Sequence, residues 1–431
     1  MSSHSIDTAT YIDDLAAFIQ ASPSSYHAAA EASRRLEEAG STRLVETDAW
    51  PAEAGRFHVV RDGAVVAWAV PAGATATTPF RILGAHTDSP GFKLKPKPTI
   101  GGSGWLQAGV EVYGGPLLNS WLDRELELAG RIVTTSGDEV LVRTGPFLRI
   151  PQLAVHLDRQ VNDGLTLDRQ RHTAPVFGVG EVSQNDLVGI LAGFAGLGGG
   201  DEVAGYDILT ADTNPPARFG LDESLFAAGR MDNLTSVHAG LLALIGADVT
   251  GSHIPVFAAF DHEELGSESR SGASGPFLEE VLTRIASGLG ASTEERARAL
   301  AASWCVSSDA GHSVHPNYPE RHDPANQPLA GRGPLLKINA NQRYTTDAHG
   351  AALWARVCAL AGVPYQEFVS NNTVPCGSTI GPLTATRLGI RTVDVGATLL
   401  SMHSARELAH VDDLVALSAA IGAFYSPELK L

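Results

Sequence analysis

Seven side chains in this chain of 431 residues have the types and settings for metal-assisted chemistry. His86 and Asp88 stand in "HTDSP", Asp232 in "RMDNL", Glu263 and Glu264 in "FDHEELGSES", Asp309 in "WCVSSDA" and His403 in "LLSMHS". Imidazole nitrogens combined with carboxylate oxygens suit Zn²⁺, and also Mn²⁺ or Co²⁺ at similar geometry. Five ligands are too many for one tetrahedral ion. They suit two divalent ions if one carboxylate bridges. The expected arrangement puts His86, Asp309 and bridging Asp232 on one ion, and Glu264, His403 and the same Asp232 on the other. Two such ions would polarise a carbonyl and lower the pKa of a bridging water, making hydroxide near neutrality. Glu263, beside a metal-binding Glu264, is then the general base. Asp88 would accept the free ring N–H of His86 and fix its tautomer.

Each residue alone has a plainer reading. His-x-Asp is ordinarily a turn, Glu-Glu a solvated surface pair, and Asp-Asn before a helix an N-cap. His403 alone could be a satisfied core histidine. What argues for a site is coincidence, since all five positions follow strand-like runs. Ligands in an open α/β sheet collect beyond the carboxyl ends of its strands. The acidic run from 261 to 264 is also costly behind the apolar "IPVFAA" unless positive charge meets it there.

The elements that would position these residues follow from periodicity. "YIDDLAAFIQ" and "YHAAAEASRRLEEAG" read as helices separated by Pro23, with Ser24 and Ser25 as candidate caps. "RFHVV", "AVVAWAV" and "FRILGA" read as strands. After residue 221, "MDNLTSVHAGLLALIGA", "GPFLEEVLTRIASGL", "HGAALWARVCALAG" and "VDDLVALSAAIGAFY" read as helices between the strands "PVFAAF", "WCVSSDA" and "TVDVGA". That alternation predicts a mainly parallel sheet covered on both faces. Between residues 93 and 220 the texture changes to strand-like alternation with Gly- and Pro-rich turns, as in "FKLKPKP", "LELAGRIVTT", "EVLVRT" and "YDILTADT". The expected organisation is a discontinuous α/β domain, residues 1–95 plus 221–431, with a β-rich domain inserted at 96–220.

Composition narrows the class. The chain is 44% hydrophobic and 18% charged, and it carries a net charge of −17. That charge argues against a nucleic-acid role, which needs Lys and Arg against phosphates. It also requires any pocket for an acidic ligand to be locally positive. Three scattered cysteines without a C-x-x-C pair exclude a disulfide framework and a thiolate zinc knuckle. The first residues, "MSSHSIDTATYIDDLAAFIQ", have no signal-peptide h-region, and no apolar run reaches membrane-spanning length. The expectation is a cytoplasmic protein with no membrane partner.

Together, "AHTDSPGFKLKP", "RMDNL", "DHEELGS", "SSDAGHSVHPNY", "LLKINANQRY", "PCGSTIGP" and "MHSARE" resemble the M18 aminopeptidases, the aspartyl aminopeptidase family, in order and over nearly the whole chain. The resemblance implies an exopeptidase releasing N-terminal Asp or Glu from peptides. It implies a zinc-peptidase-like three-layer α/β/α domain with an inserted β-rich dimerisation domain, and dimer-based dodecamers with enclosed active sites. Its metal ligands fall on His86, Asp232, Glu264, Asp309 and His403, and its base on Glu263. It places His156, in "LAVHL", at a neighbouring subunit's active site as a substrate contact, with a metal ligand as the alternative. Lys337 would read the acidic side chain, with His312 and Tyr344 as further substrate contacts. A lone lysine at a strand end is more often solvated. The small-residue loop "CGSTIGP" would offer backbone N–H groups to a substrate carbonyl or carboxylate, or serve as a structural turn. Two other functions stay open: a neutral-residue aminopeptidase or deacylase on the same dinuclear site, and a non-enzymatic oligomeric scaffold with structural metal.

Overall fold

The computed structural model describes residues 7–430; residues 1–6, the start of the stretch read as lacking a signal peptide, lie outside them. At its centre is a nine-stranded sheet in the order Thr42–Arg43, Gly55–Arg61, Ala64–Val70, Ile254–Phe260, Phe80–His86, Trp304–Ser308, Arg391–Gly396, Leu335–Ile338 and Gln366–Val369. The four strands from Ile254–Phe260 to Arg391–Gly396 run parallel. Both faces of these strands are buried, so they read as continuous apolar runs. Successive side chains alternate between two cores. Ile82 and Val256 enter one, with Phe277 and Ile380 from the helices Phe277–Gly288 and Ile380–Leu388. Leu83 and Phe257 enter the other, with Leu15, Ala28, Leu234, Leu353 and Leu414 from the opposite helical layer. The result is the expected three-layer α/β/α domain.

The helix Met231–Ile245 lies directly on the sheet, because Gly240 lets it. A Cβ there would run into Leu83 and Phe257. This contact holds the N-terminal end of the helix, where Asp232 sits, near the ends of the strands Phe80–His86 and Ile254–Phe260.

A second, six-stranded antiparallel sheet takes in residues between Gly91 and Asp212, in the order Glu139–Arg143, Leu126–Thr134, Val203–Asp212, Gly91–Gly102, Trp105–Tyr113 and Val176–Val179. It has its own core, with Phe92, Leu128, Ile132 and Ile208 beneath Leu187 and Leu191 of the helix Leu187–Phe194. A third sheet has five short strands in the order Ala217–Phe219, Leu225–Ala228, Glu407–His410, Thr398–Leu400 and Gly311–His312. Among the described residues no helix is long and apolar enough to cross a membrane.

Candidate active site

Three adjacent parallel strands deliver part of the site from one edge. His86 ends its strand and pairs in register with Phe260, and Thr87 N–H donates to the Phe260 carbonyl at 2.8 Å. Asp309 follows Ser308 at the end of the next strand. Beyond Phe260, Asp261 is buried and His262 turns in the left-handed region (φ 63°), which presents Glu263 and Glu264. Asp88 fastens that turn. Its Oδ1 accepts the Glu263 backbone N–H at 3.0 Å and its Oδ2 the Glu264 N–H at 3.2 Å.

Asp232 and His403 arrive differently from the expectation of a single sheet edge. The strands before them, Leu225–Ala228 and Thr398–Leu400, belong to the small five-stranded sheet. Asp232 and Asn233 have non-helical dihedrals at the start of their helix, and His403 is left-handed (φ 66°). These two backbones are tied together by Glu407, which the sequence reading did not single out. Glu407 is 2% exposed, and it accepts the Asp232 N–H at 3.1 Å and the His403 N–H at 3.0 Å.

The side chains converge. His86 Nε2 lies 3.3 Å from Asp232 Oδ1 and 3.9 Å from Asp309 Oδ1. His403 Nε2 lies 3.4 Å from Asp232 Oδ2 and 3.5 Å from Glu264 Oε2. Three overlapping groups, His86–Asp232–Asp309, Asp232–Glu264–His403 and His86–Glu263–Glu264, each have ligand atoms within 4.8 Å of one another. Asp232 Oδ1 and Glu264 Oε1 are buried without a hydrogen-bond partner. Each histidine turns Nδ1 to a carbonyl oxygen, His86 to Asp88 at 3.0 Å and His403 to Gly115 at 3.0 Å. A proton on Nδ1 leaves the Nε2 lone pair for a cation. The Asp88 carboxylate is 3.4 Å from His86 Nδ1, so its backbone carbonyl is the closer acceptor.

The electrostatics show a shortage of positive charge. Burial opposes protonation of His86 and His403, yet the neighbouring carboxylates win, raising His86 well above its ordinary value and His403 to about 10. Burial lifts Glu263 to about 8 against the pull of His86, and lifts Asp309 to about 6 against the pull of Lys337. Glu264 is raised by burial and by Asp232, and Glu407 is raised to about 8 for the same two reasons. Asp232 is lowered, because His403 and His86 together outweigh its burial. Orphaned oxygens, two correctly presented imidazoles and surplus dehydrated carboxylates fit divalent cations.

Of the expected substrate contacts, Lys337 is no surface lysine. It is 1% exposed, its Nζ donates to the Ala310 carbonyl at 2.7 Å, and it lies 3.8 Å from Asp309 Oδ1 and 5.3 Å from the Tyr344 ring centre. Tyr344 is buried against Phe368. His312 is open to solvent at the end of its short strand, but surrounding atoms dehydrate it and Lys337 repels its proton, lowering it to about 4. "CGSTIGP" is only partly a loop. Thr379 caps the helix Ile380–Leu388, so Ile380, Gly381 and Pro382 form its first turn. His156 lies apart from the metal-capable groups, exposed in a segment without strands or helices between Gln152 and Thr173.

The antiparallel sheet also reaches this site. Tyr113 OH donates to Asp88 Oδ2 at 2.9 Å, and the Gly115 carbonyl faces His403. The only sequence signal was "YGGP" after a strand, which marks a turn but no partner.

A family profile described as aminopeptidase I zinc metalloprotease (M18) matches residues 18–425. The chain belongs to the M18 family. It is 55% identical to a probable M18 family aminopeptidase 2 of Streptomyces avermitilis over 420 residues, covering 96% of this chain and 97% of that one. A namesake from Mycobacterium tuberculosis H37Rv is 45% identical over 429 residues, covering 96% and 98%. Among solved structures, Ape4 in its complex with Nbr1 superposes with a TM-score of 0.93 at 33% identity, covering 99% of this chain and 87% of that one. The S. cerevisiae mApe1 dodecamer superposes at 0.84 with 26% identity, covering 98% and 97%. The chain is therefore an M18 metallo-aminopeptidase, and zinc is the metal that the family description names.

Proposed function

We propose that this M18 enzyme holds two divalent ions and removes N-terminal Asp or Glu from peptides. The observation that carries the reading is the two-sided placement of Asp232, whose Oδ1 faces His86 while Oδ2 faces His403. His86 and Asp309 would complete one ion's ligands, and Glu264 and His403 the other's. Zn²⁺ fits these donors, as do Mn²⁺ and Co²⁺. Ions in these places supply Lewis acidity toward the scissile carbonyl and acidify the attacking water.

The chain's own residues do the rest. Glu263 accepts the proton of the attacking water and returns it to the departing amine. Asp88 holds Glu263 in place through the backbone N–H. Lys337 supplies the cation that an acidic side chain needs in a protein of strongly negative charge. His312 and Tyr344 border that charge. We assign residues 96–220 to self-association in a dimer-based dodecamer. The exposed Leu153, Val155 and Leu157 around His156, and the dodecameric state of the S. cerevisiae relative, support this. In that assembly His156 contacts substrate in a neighbouring subunit. The three unpaired cysteines suit a reducing compartment, the cytoplasm.

The test is a kcat/KM profile across peptides that differ only in the N-terminal residue, with divalent metal added. Asp and Glu should lead. A profile led by Leu or Ala would contradict the proposed specificity while leaving the metal site intact.

A further inference from the structure

We propose that Glu407 is a positioning residue that selectively builds the second metal position, the one formed by Glu264, His403 and Asp232. The inference rests on the two-ion reading above and concerns a residue outside the three metal-capable groups.

The two metal positions are unequally supported. His86 and Asp309 sit at the ends of adjacent parallel strands in the nine-stranded sheet, and both are buried. Their places are set by ladder hydrogen bonds and by core packing on both faces. His403 has no such frame. It sits in a turn after a three-residue strand, in the left-handed region, with its side chain 30% exposed. Three hydrogen bonds hold it: its Nδ1 to the Gly115 carbonyl, its backbone N–H to Glu407 Oε1, and its carbonyl oxygen accepting the Leu117 N–H at 2.9 Å.

Glu407 joins that turn to Asp232, from which it is 175 residues distant in sequence. The Glu407 carboxyl offers a separate acceptor oxygen to each of the two N–H groups. A glutamine at 407 keeps one acceptor and turns an NH₂ donor toward the other N–H. One of the two backbones must then lose its partner. Asp232 has other anchors, since its carbonyl accepts the Ser89 hydroxyl at 2.7 Å and Asn233 Nδ2 donates to the Ser308 carbonyl at 2.9 Å. His403, on a turn after a three-residue strand and with its side chain 30% exposed, is the less firmly framed of the two, although its carbonyl and the Ala405 N–H keep partners. Residues that orient metal ligands typically change affinity by about 10- to 100-fold when altered.

The experiment is a Zn²⁺ titration of metal-free protein against a competing chromogenic chelator, on wild type, Glu407→Gln and Glu407→Asp. Far-UV circular dichroism of each metal-free protein checks the fold. Wild type should take two ions. Glu407→Gln should keep the first ion within about threefold and bind the second about 10- to 100-fold more weakly, and turnover should recover when excess Zn²⁺ is supplied. Rescue by metal distinguishes positioning from general damage to the fold. Unchanged second-ion affinity, or equal weakening of both ions, would overturn the inference. If Glu407→Gln does not fold, Glu407→Asp decides. Its side chain is one methylene shorter and draws the same carboxylate back from both N–H groups, so an unchanged second ion there also overturns it. A single ion in wild type would instead refute the two-ion reading.

Discussion

Lys337 is buried beside Asp309, its Nζ 3.8 Å from Oδ1 and its closest hydrogen bond made to a main-chain carbonyl. A buried ammonium with one neutral acceptor keeps donors in reserve. On the proposed two-ion reading Asp309 ligates an ion, which leaves Lys337 for an incoming carboxylate.

Replacing Lys337 by Met keeps the bulk and removes the charge. A charge-assisted hydrogen bond is worth about 1.5–3 kcal/mol, so kcat/KM on Asp-peptides should fall about 10- to 100-fold, with much less change on Leu-peptides. Parallel assays of both substrates check this. An unchanged Asp/Leu ratio would remove Lys337 from specificity.

Glu263→Gln should lower kcat by about 100- to 10,000-fold, the range of general-base contributions, while bound metal stays at wild-type levels. Elemental analysis alongside turnover checks both halves. Near-normal kcat would assign the proton transfer elsewhere.

Stability of the metal-free protein should fall as pH rises above neutrality. Glu263 and Glu407 are raised to about 8 and His403 to about 10. A raised folded-state pKa contributes stability that is complete below the unfolded value and lost as pH climbs through the folded one. All three therefore act in the same direction between pH 6.5 and about 8, and His403 continues alone to about 10. Below 6.5 the buried His58 and His253, lowered to about 4, oppose them. Thermal melts should show Tm declining from pH 6.5 to 9 without metal, and a much flatter profile with Zn²⁺. A Tm that rises over this interval would show that these carboxyls are not dehydrated as described.

The parallel strands were legible because burial on both faces turns them into unbroken apolar runs such as "IPVFAAF". The places of His86 and Asp309 were legible because a strand end occupied or followed at once by His or Asp is a local signal. Other features act at a distance or through polar residues. The helix Thr293–Ala301 buries only Ala299 and has little periodicity to read; its signal was the capping box of Ser292 and Glu295. Glu407 stood in plain view in "MHSARE". Its role comes from accepting a backbone N–H 175 residues away, and main-chain donors leave no mark on side-chain patterns. The same holds for the Gly115 carbonyl behind His403.

The central claim is a pair of ions sharing Asp232, and anomalous diffraction from Zn²⁺-loaded crystals at the zinc edge tests it most directly. The account predicts two peaks per subunit, one beside His86 and Asp309 and one beside His403 and Glu264, both in contact with Asp232. A single peak at saturating metal, or two peaks of which only one touches Asp232, would contradict it.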